Sequence, residues 1–272
     1  MTMENDSFRY LEVSDPGLTP PGFTIVTAKS AALGQRADVT LYAPPAARSR
    51  QDVPIVILLH GARGSHWAWT FKGGAHERLE ALIDAGRMTP MVLVMPSDGL
   101  WGDGSGFVGH RAQDFERWIV EETPRLAMRV SPACGERSPI FVCGLSMGGY
   151  AALRLAGKFP DRIAGASAHS AITTDEQFDL VIAESRSSWS RAPEDRGVLA
   201  ALTLTSRPAP IRFDCGLDDP LLPANRRLHA DLDALGVAHR FEVRPGGHDW
   251  VYWSKSIEQS FLFFNDLTAS RS

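Results

Sequence analysis

Three residue types, in a fixed chain order, are the candidates for chemistry in this 272-residue sequence: a serine in a glycine-rich turn, a pair of aspartates behind an apolar run, and a histidine behind two glycines. The serine is Ser146, in Gly144-Leu145-Ser146-Met147-Gly148, extended by Gly149. A G-x-S-x-G pentapeptide alone carries little information. Here an apolar run (139–143) precedes it and a helical pattern (150–158) follows, and that context is specific. A tight strand-to-helix turn lifts the hydroxyl clear of the backbone, and glycines flank it where side chains would strike the neighbouring strand and helix. The helix N-terminus beneath favours developing negative charge. The plain alternative is a glycine-rich turn with an incidental serine.

A serine hydroxyl is a poor nucleophile at neutral pH, so a histidine must take its proton and a carboxylate must fix the imidazole tautomer. Turns of this kind are followed in the chain first by the acid and then by the histidine, both on loops after late strands. His248, in Arg244-Pro-Gly-Gly-His248-Asp249-Trp250, follows a strand pattern and precedes the last helical one, and is read as the base. Asp249 reads as a helix N-cap and Trp250 and Trp253 as packing anchors. Of the other histidines, His66, His76, His110, His229 and His239 fall in loops or on polar helix faces, while His60 and His169 end strands at the functional edge and read as hydrogen-bonded supports, with contact to substrate as the alternative. The acid is read as Asp219, three residues past Gly216; Asp218 is the alternative and Asp214, inside the strand pattern, a third. Acyl transfer passes through an oxyanion that needs two N–H donors. The amide of Met147 is one candidate, and that of Ala62, in Leu58-Leu-His-Gly61-Ala62, the other; a plain turn is the alternative for the latter segment.

The elements that must position these residues are legible as alternating patterns. Residues 23–28 and 38–42 read as two early strands, an antiparallel pair, and 54–60, 91–95 and 139–143 as short runs apolar throughout. Such runs suit strands covered on both faces of a parallel sheet. Further strands are expected at 163–168, 210–215 and 239–243, and helices at 75–85, 113–128, 147–158, 224–235 and 251–267. The alternation predicts an α/β architecture, a mostly parallel central sheet with helices on both faces and its functional loops at the strand C-termini. Two segments break the pattern. Residues 97–109 are glycine-rich and read as a long loop. Residues 171–207 are polar and Ser/Arg-rich, with a short helical stretch near 178–184, and read as a lid or pocket-wall insertion. Phe178, Leu180, Val181, Ile182 and Trp189 would be the groups it offers an acyl chain. No repeat or boundary divides the chain, so residues 1–272 read as one domain.

Bulk properties narrow the class. A hydrophobic content of 44%, a charged content of 22% and a net charge of −4 suit a globular chain and argue against nucleic-acid or anionic-membrane partners. The N-terminal MTMENDSFRYLEV has neither the basic nor the apolar region of a signal peptide, and the most apolar stretch, 55–59, is far too short to span a bilayer. Three cysteines, Cys134, Cys143 and Cys215, without a metal-type spacing, read as reduced thiols and point to a cytoplasmic setting.

Taken together, Leu58-Leu-His-Gly61 followed by Trp69, Gly144-Leu-Ser-Met-Gly-Gly-Tyr150, Cys215-Gly-x-x-Asp219 and Gly246-Gly-His-Asp-Trp250 resemble the esterase D family, in its tributyrin-esterase-like branch. The group includes S-formylglutathione hydrolases and feruloyl esterases, and the secreted mycolyltransferases are related. Residues 114–124 resemble the helix after the fourth strand in these proteins, and the similarity runs from about Val53 to the C-terminus. The chain departs from eukaryotic-type S-formylglutathione hydrolases, which carry Ser-Gly-Leu-Thr-Cys where this chain has His60-Gly-Ala-Arg-Gly. The resemblance implies an α/β-hydrolase fold, no metal and no cofactor, and a serine esterase acting on a small-molecule carboxylic ester or thioester through an acyl-enzyme on Ser146. An acyltransferase using the same triad and a non-catalytic binding protein on the same fold are the competing readings, and a homo-oligomer is left open.

Overall fold

The computed structural model describes residues 8–190, 192 and 196–270. Its strands are β1 (Phe8–Val13), β2 (Phe23–Ser30), β3 (Arg36–Tyr42), β4 (Ile55–Leu59), β5 (Val92–Pro96), β6 (Ile140–Leu145), β7 (Gly165–His169), β8 (Ile211–Gly216) and β9 (His239–Arg244). Its helices are α1 (Ala68–Phe71), α2 (Ala75–Asp84), α3 (Phe115–Arg117), α4 (Thr123–Val130), α5 (Met147–Lys158), α6 (Val198–Leu202), α7 (Leu222–Ala234) and α8 (Trp250–Ala269).

All nine strands join one sheet, in the order β1-β2-β3-β5-β4-β6-β7-β8-β9. β1, β2 and β3 add to β5 in antiparallel fashion, and the pairings from β5 across to β9 are parallel. Within the parallel part the chain leaves β4 for β5 on one side and returns to β6 on the other. That reversal is the topological switch point of an open α/β sheet, where a crevice forms outside the strand C-termini. The segments that follow β4 and β6 are the ones that carry Ala62 and Ser146.

The continuous apolar runs are explained by cover on both faces. Ile55, Ile57 and Leu59 of β4 pack in one core with α4, α5 and α7, whereas Val56 and Leu58 pack in a second core with α2 and α8. Side chains alternate across the pleat, so a strand sandwiched between two helical layers must be apolar at every position. β1 was not predicted: only Phe8 is buried among its six residues, so it carries no periodic signal and exists through pairing with β2. All three cysteines are free and buried, Cys143 in β6, Cys215 in β8 and Cys134 in the loop before β6.

Three expectations need correction. The single helix predicted over 113–128 is broken into α3, a π-helical turn at Trp118–Glu122, and α4. Pro124 sits in the first turn of α4 and has no N–H to donate to the preceding turn. The Thr123 hydroxyl donates instead to the Trp118 carbonyl at 2.9 Å. In segment 171–207, Phe178 and Trp189 do not face the cleft. They are 0% and 5% exposed and pack edge to face at 5.0 Å, with Phe178 also against Tyr150 of α5 at 5.0 Å. The helical stretch expected near 178–184 is a short 3-10 turn, Asp175–Leu180, opened by a capping box between Thr174 and Gln177.

Candidate active site

Ser146 stands between β6 and α5 with φ 52° and ψ −114°, a left-handed conformation that a residue with a Cβ adopts at a cost of about 1–3 kcal/mol. The surrounding backbone holds it there. Its N–H donates to the His169 carbonyl at 3.0 Å, and its own carbonyl accepts from Tyr150 at 3.0 Å and Ile172 at 3.2 Å. The flanking glycines are obligatory. A Cβ on Gly144 would lie 2.2 Å from the Gly148 carbonyl oxygen, and one on Gly148 would lie 2.4 Å from the Leu59 carbonyl oxygen. This is the close approach that the G-x-S-x-G pattern predicts.

His248 lies in the loop between β9 and α8. Its Nδ1 donates to Asp219 Oδ2 at 2.9 Å. Asp219 follows β8 and is 4% exposed, whereas the neighbouring Asp218 is exposed and turned outward. Burial pushes the Asp219 carboxyl upward, but hydrogen bonds from His248, the Ser170 hydroxyl and the Leu221 N–H outweigh it and hold the group below the ordinary carboxylate value. The carboxylate therefore stays charged. Asp249 caps α8, accepting from the Tyr252 N–H at 2.9 Å. Asp214 lies inside β8 and is wholly buried against His169.

Trp253, read from the sequence as a packing anchor, and Ser170, which sequence reasoning did not weigh, complete the histidine's setting. The Trp253 ring stands perpendicular to the His248 ring at 4.9 Å, and its indole N–H donates to the Ser170 hydroxyl at 3.0 Å. Ser170, itself at φ 50°, thus links Trp253 to Asp219. No local pattern marks such a serine. Its position one residue beyond β7 at the functional edge is the only clue.

The loop after β4 supplies a second element of the site. The Gly61 carbonyl accepts from His60 Nδ1 at 2.8 Å and from the Gly64 N–H at 3.0 Å. In a trans peptide the next N–H points the opposite way, so these bonds aim the Ala62 N–H away from them. Among the described residues neither the Ala62 nor the Met147 amide has a hydrogen-bond acceptor. The carbonyl of Leu59, at the end of β4, is held by the Trp69 indole at 2.9 Å. His60 and His169 are buried at 2% and 0% and line no part of the cleft.

Ser146, His248 and Ala62 open together into a cleft of about 450 Å³, walled by Trp67, Trp250, Trp253, Leu145 and Val181, with Arg63 and Lys72 at the rim. Val181 is the contribution of segment 171–207. It is brought there by Arg63, which donates to the Val181 carbonyl at 3.1 Å and to Asp103 at 3.2 Å, while Asp103 also accepts from the Ala183 N–H at 3.1 Å. Three loops, after β4, β5 and β7, are thus tied at the mouth.

A nine-stranded sheet with this serine turn at its switch point defines an α/β-hydrolase. Residues 30–264 match the model of the Esterase family, described as "Putative esterase", and the chain belongs to that family. It is 25% identical over 238 residues to an acetyl esterase of Caldicellulosiruptor saccharolyticus, covering 80% of this chain and 85% of that one. It is 26% identical over 259 residues to an S-formylglutathione hydrolase of Paracoccus denitrificans (strain Pd 1222), covering 86% and 88%. Among solved structures a ferulic acid esterase superposes with a TM-score of 0.77 at 22% identity, covering 90% of this chain and 98% of that one. Among the described residues no helix is long and apolar enough to cross a membrane.

Proposed function

We propose that the protein hydrolyses a small carboxylic ester or thioester through an acyl-enzyme on Ser146, with His248 as general base, Asp219 as the orienting acid and the amides of Ala62 and Met147 as the oxyanion hole. The observation that carries this reading is the 2.9 Å hydrogen bond from His248 Nδ1 to buried Asp219, in a cleft shared by His248 and Ser146. With Nδ1 donating to Asp219, Nε2 keeps its lone pair for the serine proton. Ser146 Oγ attacks the acyl carbon as His248 takes its proton. The carbonyl oxygen becomes an oxyanion facing the two preorganised amides, which need no reorganisation as charge develops. His248 returns the proton to the departing alkoxide or thiolate, and water then releases the acid by the same steps. The size of the cleft and its three tryptophans favour a short acyl group.

Labelling with a fluorophosphonate should modify the peptide bearing Ser146 and no other serine, and Ser146→Ala should lose at least about 10⁴-fold in kcat/KM while remaining folded. Near-normal activity in that variant sinks the assignment. A panel of increasing acyl length, with S-formylglutathione and a feruloyl ester included, then identifies the substrate class.

A further inference from the structure

At the sheet edge opposite the cleft, α7 and β9 bring together His229, Asp233 and His239. One ligand atom from each lies within 4.8 Å of the others. We infer that these three side chains form a binding site for a divalent transition-metal ion of the zinc type. The inference does not rest on the reading of the catalytic cleft, and it departs from the metal-free protein that the family resemblance implied.

The arrangement follows from both elements. His229 and Asp233 are four residues apart on α7, so they share one helix face. His239 opens β9 after the turn that closes α7, and its side chain is 2% exposed, so its ring has a fixed position. The Phe213 ring stacks on it at 5.7 Å, and the His229 ring lies 5.0 Å from Phe241.

The tautomer is also fixed. His239 Nδ1 donates to the Val237 carbonyl at 2.7 Å, which leaves Nε2 as the ring nitrogen with a lone pair. A backbone carbonyl holding the far nitrogen is the arrangement that orients metal-binding imidazoles. That lone pair accepts from the His229 Nδ1–H at 2.8 Å, a proton that a bound metal ion would replace, and lies 3.8 Å from the Asp233 carboxylate. Two imidazoles and a carboxylate are a donor set that suits zinc, and tetrahedral bonds of about 2.0–2.1 Å would set the ligand atoms roughly 3.3 Å apart. The imidazole nitrogens need to part by only a few tenths of an ångström, and the exposed Asp233 is free to close. Three protein ligands leave a position for water. The six residues of β9 put the site about 17 Å from the end of the strand that leads into the His248 loop, so a metal here would brace that strand without touching substrate.

The test uses metal-free full-length protein whose cleft has been blocked with a fluorophosphonate, titrated with Co²⁺ and then Zn²⁺. The wild type should bind one equivalent of Co²⁺ with a visible absorption band of low-coordinate character, and Zn²⁺ should abolish that band. At a Zn²⁺ concentration about a hundredfold above Kd the melting temperature should rise by about 5 °C. His239→Gln and Asp233→Asn should each weaken binding at least tenfold. Asp233 is exposed and its amide nearly isosteric, so that variant remains informative if His239→Gln folds poorly. Absence of a band in the wild type, or undiminished affinity in Asp233→Asn, overturns the inference.

Discussion

The adjacent carboxylates of Asp218 and Asp219 differ in environment far more than in sequence. Asp219 is buried and bonded to His248, while Asp218 faces water. Asp219→Asn should therefore lower kcat by up to about 10⁴-fold by presenting the wrong tautomer of His248. Asp218→Asn should cost about tenfold or less. Steady-state kinetics of the pair decides the matter, and the reverse ranking would move the acid by one residue. Ser170 gives a subtler case. Ser170→Ala removes one hydrogen bond from Asp219 and strands the Trp253 indole, so kcat should fall roughly tenfold, the value of a hydrogen bond of about 1–1.5 kcal/mol, with KM little changed. A change confined to KM would show that Ser170 shapes the cleft rather than the histidine. Ser146, Asp219 and His248 could be nominated from the sequence because the proposed chemistry restricts both residue type and chain order, and the structure brings His248 onto Asp219 and into one cleft with Ser146. Ser170 was not, because its role comes from partners brought together by folding.

Elements with a strong apolar period were readable to within a few residues, as β4, β5, β6 and α5 show. What escaped was structure made by tertiary contact: β1, which has one buried side chain, and the π-helical turn that accommodates Pro124. Segment 171–207 is the instructive case. Its composition reads as a lid or pocket wall, yet it does not say which apolar residue turns inward. Phe178 and Trp189 fill the core and Val181 reaches the cleft. Phe178→Ala should thus destabilise the protein by about 3–5 kcal/mol in urea unfolding while leaving relative kcat/KM across acyl lengths unchanged. Val181→Ala should do the opposite, shifting the preferred chain length at little cost in stability, since an apolar contact to substrate is worth roughly 1–3 kcal/mol. Unaltered chain-length preference in the Val181 variant would leave the segment without a part in specificity.

At the scale of the whole molecule, a buried network of charges lies beneath the serine turn rather than in it. His169 bonds Asp214 at 3.0 Å and Ser260 at 2.9 Å, and Asp214 also accepts from Tyr252 at 2.7 Å and pairs with Arg212 at 2.8 Å. Burial opposes both charges, but their mutual attraction, with Arg212 assisting Asp214, raises His169 to about 9 and lowers Asp214 to about 2. The stability that this pair contributes is complete below the ordinary histidine value of 6.5 and lost as pH rises through about 9. At the acid end it is complete above the ordinary aspartate value of 3.8 and lost as pH falls towards about 2. Asp214→Asn should therefore be destabilised by about 3–5 kcal/mol, most strongly between about pH 4 and 6.5, and the gap to wild type should narrow at alkaline pH. Denaturant melts across that range measure it, and a gap independent of pH would mean the pair is not ionised. The three buried thiols add a further consequence. Cys143 and Cys215, both 0% exposed in the interior strands β6 and β8, offer no surface to a reagent such as a maleimide or an aromatic disulfide, whereas Cys134, in the loop before β6, is 8% exposed. Alkylation of Cys143 and Cys215 under native conditions must wait for the sheet to come apart, so the rate of their uptake serves as a clock for its rare openings and needs no engineered probe.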